Sequence, residues 1–262
     1  MRRLFLAPAA TTGEVPSPAA IALNFGATLL VLASVFTLAF QQLHYRWNWG
    51  AAWQYRSLFW QGWWTTVALA VAALTLSTAV GLAAALAAGS RLLPLRAAAR
   101  LYVELVRGTP LLVQILVLFY VVAPAFQLEN RFVVGTLTLS LFAGAYITEI
   151  IRSGIESVGR SQWESARAIG LTTAQTYQWV VFPQAFRQIL PPLAGQFVSL
   201  IKDSSLLSVI GIGEFALSAQ QVNALTYSTL ESYLPLAVGY LLLTLPLSLW
   251  ARRLERQTHF DT

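Results

Sequence analysis

Residues 57–90 read SLFWQGWWTTVALAVAALTLSTAVGLAAALAAGS and contain no Asp, Glu, Lys or Arg. A helix needs about 20 mostly apolar residues to cross the hydrocarbon core of a bilayer, and this stretch is longer. Four other stretches also lack charged residues, namely 15–45, 108–128, 132–148 and 232–251. The sequence therefore predicts an all-α protein that crosses a membrane several times.

The composition excludes a soluble fold and several kinds of chemistry. Charged residues are 11% of the 262 residues, against about 25% in soluble proteins. Without cysteine there are no disulfides, iron–sulfur clusters or thiolate zinc sites, and the two histidines, His44 and His259, lie far apart. The single lysine, Lys202, follows Ile201 instead of the glycine that a phosphate-binding P-loop requires. With no catalytic constellation either, we expect no enzyme, no metal site and no cofactor bound by this chain.

Six segments are predicted as transmembrane helices. The weakest of them contains Lys202 and Asp203 inside an otherwise apolar run. The segments are 20–42, 62–88, 109–127, 132–151, 191–212 and 232–251.

The distribution of arginine predicts the orientation. With both termini in the cytoplasm, thirteen arginines lie on the inner side and three on the outer side. This asymmetry agrees with the positive-inside rule, so the net charge of +6 reflects membrane topology and not nucleic-acid binding. We expect cytoplasmic tails at 1–18 and 256–262.

Six tryptophans between residues 44 and 64 lie in the predicted outer loop. One interpretation is an aromatic belt at the membrane interface, and the other is a docking surface for an external partner. The residues are Trp47, Trp49, Trp53, Trp60, Trp63 and Trp64.

The longest inner loop, 152–190, has the signals of two short helices. Ser161 and Glu164 have the spacing of a capping box at the start of a helix. Gly170 can adopt the left-handed backbone conformation that ends this helix. Thr172 and Gln175 repeat the capping pattern. The second helix is predicted to end or kink at Pro183, with Pro191 and Pro192 opening the next span. From the residues alone, this hairpin either rests on the lipid or docks a partner.

Four motifs in chain order resemble those of ATP-binding-cassette (ABC) importer permeases. The loop motif Glu164-Ser-Ala166-Arg-Ala-Ile-Gly170, followed by Phe182-Pro183-Gln184-Ala185, is similar to the "EAA" loop, with Ser161, Ser165 and Phe182 as departures. Three flanking motifs resemble the polar amino-acid branch of the family. They are Arg107-Gly-Thr-Pro-Leu-Leu-Val-Gln114, Glu149-Ile-Ile-Arg152-Ser-Gly-Ile155 and Lys202-Asp-Ser-Ser-Leu206.

The resemblance implies a type I importer permease in a bacterial inner membrane. The permease domain would span 58–255 with five core helices and a coupling loop at 152–190, and 19–57 would add an N-terminal helix and an outer loop. The implied partners are two ATPase subunits that bind ATP and Mg, a second permease subunit that is identical or homologous, and an extracytoplasmic substrate-binding protein. The implied cargo is a polar amino acid, with basic amino acids as one option.

The same resemblance indicates a coupling surface on the EAA loop. Glu164, Ala166, Arg167 and Gly170 are the expected ATPase-coupling residues. Glu164 has a second interpretation as a capping residue alone, and Arg167 as a solvated surface charge.

Polar residues inside the predicted spans are candidates for the substrate pathway. A charge within a bilayer is costly unless it is paired or hydrated, so Lys202 and Asp203 either line the pathway or form ion pairs with other spans. Glu149 either faces the pathway or pairs locally with Arg152. Thr109 and Pro110 are predicted as the N-cap and first residue of their helix. The full set of pathway candidates is Gln114, Glu149, Gln196, Ser199, Lys202 and Asp203.

Other functions remain open at the level of sequence. A permease of the same machinery for another small solute, such as an opine, fits the same motifs. An ATPase-independent channel or secondary transporter, or a non-transporting scaffold, fits the spans but leaves the coupling loop unexplained.

Overall fold

The computed structural model describes residues 17–42 and 45–258. Most of the predicted tail 1–18, the end of the tail 256–262, and Arg2, Arg3, His44 and His259 lie outside these residues. Every regular element within the described ranges is helical. In chain order the helices are α1 Pro18–Gln42, α2 Trp49–Gln54, α3 Arg56–Ala88, α4 Leu93–Arg107, α5 Leu111–Val117, α6 Arg131–Glu156, α7 Arg160–Ala168, α8 Phe182–Asp203, α9 Phe215–Thr226 and α10 Thr229–Thr258.

The described residues divide into two compact units, with the boundary between Trp47 and Asn48. The first unit contains α1, whose apolar side chains are mostly exposed, as expected of a helix that faces lipid. Five helices of the described chain are long and apolar enough to cross a membrane, and six spans result if a bent pair counts as one. This agrees with the six spans predicted from sequence.

The second unit is built on the packing of α3 along α6, the most extensive helix pair in the fold. Small residues let the two backbones approach, as in many membrane helix pairs. A Cβ on Gly81 would lie 2.6 Å from Cγ2 of Ile147, and Thr148 Oγ1 donates a hydrogen bond of 3.2 Å to the Gly81 carbonyl. The core around this pair is completed by Leu69, Ala73, Ile115, Leu139, Leu200, Leu207 and Ile212.

The span predicted at 109–127 is part of a broken element. The helices Leu93–Arg107 and Leu111–Ala125 meet at an angle of 108°. α5 passes into a π-helical turn, Leu118–Val122, before its last residues, Ala123–Ala125. The prediction that Thr109 caps this helix is wrong, because Pro110 occupies the N-cap and the start of α5 has no side-chain cap.

The span predicted to begin at Pro191 begins much earlier. Thr173–Thr176, a π-helical turn at Tyr177–Val181, α8 and a 3₁₀ turn at Ser204–Ile210 run on as one element, Thr173–Ile210. Pro183 lies just after the π-helical turn, and Pro191 and Pro192 lie inside α8, so the element accommodates all three prolines. The predicted second loop helix is therefore the first part of a longer element that is apolar enough to cross a membrane.

Candidate functional site

The helix α7 is a short, well-terminated rod in the loop predicted to couple to an ATPase. The predicted capping box of Ser161 and Glu164 is wrong, because the helix begins two residues earlier, at Arg160, with Gly159 at its N-cap and no side-chain cap. The predicted stop at Gly170 is confirmed by its φ of +83°. The Gly170 N–H donates to the Arg167 carbonyl at 3.0 Å and the Leu171 N–H to the Ala166 carbonyl at 3.1 Å, which is the Schellman pattern.

The loop that follows α7 is held by the second predicted cap. Thr172 Oγ1 accepts from the Gln175 N–H at 3.3 Å, and Gln175 Oε1 accepts from the Thr172 N–H at 2.9 Å. This reciprocal pair confirms the predicted capping box. The turn between α7 and the next helix is thus defined on both sides of Gly170.

The two sides of α7 face different surroundings. Ala166 is 2% exposed, so the close approach that it permits is to this chain's own helices and not to a surface partner. Trp163 packs edge-on against Tyr177, with 5.0 Å between ring centroids. Glu164 and Arg167 are exposed on the other side, and Ile169 at the tip is 77% exposed. The inner side of α7 is therefore fastened to the base of the α8 element, and the outer side is free.

A network of charges joins the α4–α5 bend to α6. Glu149 Oε2 lies 3.0 Å from Arg107 Nη1 and 2.9 Å from Arg152 Nη2, and Arg152 Nε donates to Glu149 Oε1 at 2.9 Å. Arg152 Nη1 also donates to Glu156 Oε2 at 2.6 Å. The local pair between Glu149 and Arg152 is confirmed, and the contact with Arg107 was not foreseen. The carboxylate of Glu149 therefore holds the end of α4 against α6.

Gln114 braces the same bend from the other side. Its amide nitrogen lies within hydrogen-bonding distance of the Val106 carbonyl at 2.7 Å, the Thr109 carbonyl at 3.1 Å and Thr109 Oγ1 at 2.8 Å. Thr109 Oγ1 in turn donates to the Leu105 carbonyl at 2.8 Å. The contacts of Gln114 with this chain are structural, and its place in the pathway stays a prediction.

The polar residues of α8 lie on a part of the helix that this chain covers only in part. Lys202 is exposed, and Gln196, Ser199 and Asp203 are half-buried, whereas Leu200 is buried in the core. Within 17–42 and 45–258, neither Lys202 nor Asp203 forms an ion pair. The two charges are therefore available to a partner, to water or to solute.

Sequence reasoning missed a buried carboxylate at the start of α9. Glu214 is fully buried and accepts hydrogen bonds from the N–H groups of Leu217 at 2.7 Å and Ala216 at 2.8 Å, and from the Tyr240 hydroxyl at 3.0 Å. Thr66 Oγ1 on α3 accepts a hydrogen bond of 3.1 Å from the N–H of the neighbouring residue, Phe215. Burial raises the pKa of the Glu214 carboxyl, and these hydrogen bonds oppose the rise. Glu214 thus ties α9 to α10, beside the Thr66 contact with α3.

Glu231 is a second buried carboxylate, in the first turn of α10. It accepts a hydrogen bond from the Asn48 N–H, so the beginning of the second unit is attached to its last helix. Neither residue belongs to a recognisable motif. The available signal was an acidic residue just before or inside the first turn of a helix, a position that the helix dipole favours.

A sequence profile of the family "Binding-protein-dependent transport system inner membrane component" matches residues 79–259. The chain belongs to this family. It is the transport subunit of an ABC system, and ATP hydrolysis is performed by a separate subunit. The family implies ATPase and substrate-binding protein partners in general, and its members are multi-pass membrane proteins.

Named relatives cover most of the chain. The probable glutamine ABC transporter permease protein GlnM of Bacillus subtilis is 34% identical over 77% of this chain and 93% of its own length. The L-cystine transport system permease protein TcyB of Bacillus subtilis is 40% identical over 73% and 82%. The glutamine transport system permease protein GlnP of Escherichia coli K12 is 34% identical over 80% and 97%.

Solved structures agree with the fold. A chain from a crystal structure of an amino acid ABC transporter with histidines superposes with a TM-score of 0.76 at 34% identity, covering 81% of this chain and all of its own. A chain from the inward-facing MetNI methionine ABC transporter superposes with a TM-score of 0.65 at 16% identity, over 78% and 98%, which supports the fold alone.

Proposed function

We propose that this permease carries polar amino acids into the cytoplasm, with basic amino acids as one option. The support comes from relatives at 34–40% identity, whose names specify glutamine and L-cystine, and from the amino acid transporter that shares the fold. The membrane is the inner membrane of a bacterium, with both termini of the chain in the cytoplasm.

The proposed coupling to the ATPase rests on the exposed outer surface of α7. Two ATPase subunits, each binding ATP and Mg, dock on Glu164, Arg167 and Gly170 of two permease subunits. The exposed apolar side chain of Ile169 enters a groove of the ATPase subunit on docking, and the removal of this apolar surface from water favours binding. Ala166 and Trp163 act from the inner side, where they pass the movement of α7 to α8.

The pathway lies along the partly exposed polar residues of α8. Gln196, Ser199, Lys202 and Asp203 face a second permease subunit, identical or homologous, and the solute passes between the two. Unpaired charges at this depth require water or a partner, and both are present along a pathway. Gln114 and Glu149 act indirectly, because they hold the bend between α4 and α5 beside the pathway. An extracytoplasmic binding protein delivers the amino acid.

Uptake by whole cells tests the proposed substrate class. A strain that lacks this permease is complemented with the wild-type chain and given labelled glutamine, cystine, arginine, histidine and an opine. We expect ATP-dependent uptake of at least one amino acid, reduced in Lys202→Ala and retained in Arg253→Ala, which removes a cytoplasmic charge outside the pathway. Uptake of the opine alone would reassign the substrate, and uptake that persists without ATP would contradict the importer.

A further inference from the structure

A cavity of about 840 Å³ lies in the second unit, where α3 and α6 end beside α4 and α7. Its walls include Ala88 at the end of α3, Arg100 on α4, Glu156 at the end of α6 and Trp163 on α7. The proposed docking residues Glu164, Arg167 and Gly170 do not line this space, and neither do the polar residues of α8. In the proposed orientation, on which this inference rests, these helix ends lie at the cytoplasmic boundary of the membrane.

Two of the three arginines in the cavity have no partner for their charge among the residues that the structure describes. Arg152 is saturated, because its guanidinium already binds Glu149 and Glu156. The side chains of Arg100 and Arg160 form neither an ion pair nor a hydrogen bond with any residue of 17–42 and 45–258. Both guanidinium groups are exposed and free to bind an anion.

The acidic residues of the cavity do not cancel these charges. Glu149 and Glu156 are bound by Arg107 and Arg152, which leaves Glu104 as the carboxylate without a cation among the described residues. The N-terminus of the nine-residue α7 adds a partial positive charge, since no side chain caps it and Arg160 is its first residue. The balance of unpaired charge in the cavity is positive.

The rest of the lining suits an amphipathic ligand. Ala88, Ala99, Val103 and Ile155 provide apolar walls, and Trp163 and Tyr177 add aromatic side chains to the lining. On the outside of α4, Leu93, Leu101 and Leu105 are exposed, as on a helix that lies in the membrane interface. Basic pockets between transmembrane helices on the cytoplasmic side are suited to anionic lipid headgroups.

We propose that this cavity binds the phosphodiester headgroup of an anionic phospholipid, such as phosphatidylglycerol, between Arg100 and Arg160. The headgroup bridges α4 and α7, with its glycerol and upper acyl chains along the apolar wall. Because Arg160 belongs to the coupling helix, the lipid stabilises the position of α7 against the membrane-embedded helices.

Native mass spectrometry of the purified full-length chain, exposed to equal amounts of phosphatidylglycerol and phosphatidylcholine, tests the site. We expect preferential retention of phosphatidylglycerol, reduced roughly fivefold by Arg100→Ala or Arg160→Ala and roughly thirtyfold by both. The matched control, Arg252→Ala with Arg253→Ala, removes two exposed cytoplasmic charges outside the cavity and is expected to retain the lipid. Glu104→Gln is expected to increase retention, because it removes the unpaired carboxylate.

Three outcomes would overturn the proposal. Equal retention of the two lipids would remove the headgroup preference, and equal losses in the cavity and control variants would indicate diffuse surface attraction. Competition by glycerol 3-phosphate as effective as by the lipid would make the ligand a soluble phosphate ester. Thermal unfolding of each variant identifies misfolded protein, and Glu104→Gln tests the site in the opposite direction. The assay needs no ATPase, so a failure here is distinct from a failure of coupling.

Discussion

Glu149 accepts from Arg107 and Arg152 at once, and this pairing ties two helices together. For Glu149→Gln we expect the free energy of unfolding to fall by about 1 kcal/mol. The loss is this small because the two arginine side chains are nearly half exposed, so water screens the ion pairs. This corresponds to a fall in Tm of roughly 2–4 °C. Thermal unfolding in detergent at low and high salt measures it, and the difference from wild type is expected to shrink at high salt.

The control for that experiment is Glu164→Gln, which removes an exposed carboxylate on α7. Its Tm is expected to match that of the wild type. An equal fall for both variants would show that total charge, and not the network around Glu149, sets the stability.

Glu214 makes a second prediction because it is buried and has three donors. In Glu214→Ala, the N–H groups of Ala216 and Leu217 and the Tyr240 hydroxyl lose their acceptor, and each buried unpaired group costs about 1–3 kcal/mol. Glu214→Gln keeps one carbonyl oxygen as an acceptor, so its free energy of unfolding is expected to fall much less. Thermal unfolding compares the two, and equal Tm values would contradict the capping role.

Individual residues were predictable where a local rule decides their conformation. Gly170 follows from the need for a left-handed helix end, and Thr172 with Gln175 from a local hydrogen-bonding pattern. Glu214 was not predictable, because its partner Tyr240 is 26 residues away in sequence. Ala166 was placed on the right helix, but which side it faces depends on how α7 packs.

At the scale of elements, the contact between α3 and α6 is the most sensitive to added volume. Gly81→Ala places a methyl group 2.6 Å from Cγ2 of Ile147 and 3.0 Å from the Gly144 carbonyl, so the helices must separate. Overpacking of this kind costs about 1–3 kcal/mol. We expect a lower Tm and a smaller monodisperse fraction in size-exclusion chromatography.

Gly89→Ala is the matched control, since the nearest atoms to an added Cβ lie at 3.7 Å. Gly89 is the C-cap of the same helix, and a methyl group added there would not contact α6. A Tm as low as that of Gly81→Ala would place the sensitivity in α3 itself and not in its packing.

Elements were predictable where apolarity alone defines them. The spans at 20–42, 62–88, 132–151 and 232–251 were predicted close to their observed bounds, because long uncharged runs leave little alternative in a membrane. α4 was missed because its arginines suggested a loop, and α9 because its 12 residues are too few to cross a membrane. The start of the α8 element was placed too late, because proline was read as a helix boundary where neighbouring helices tolerate it.

At the scale of the whole molecule, the orientation is open to a direct test because the chain has no cysteine. Single cysteines at Ser161, in the first turn of α7, and at Gln127, between α5 and α6, report the two sides of the membrane. In intact cells we expect a membrane-impermeant thiol reagent to label Gln127→Cys, and Ser161→Cys only after lysis. Labelling of Ser161→Cys in intact cells would reverse the proposed topology.

The central claim is that α7 couples this permease to an ATPase, and co-purification from the native host tests it most directly. The tagged chain, extracted in mild detergent, is expected to bring down a P-loop ATPase identified by mass spectrometry. Gly170→Ala strains a backbone at φ +83° and is expected to reduce the ATPase recovered, while Gly89→Ala is expected to leave it unchanged. A stable complex that contains no ATPase, or recovery unaffected by Gly170→Ala, would contradict the account.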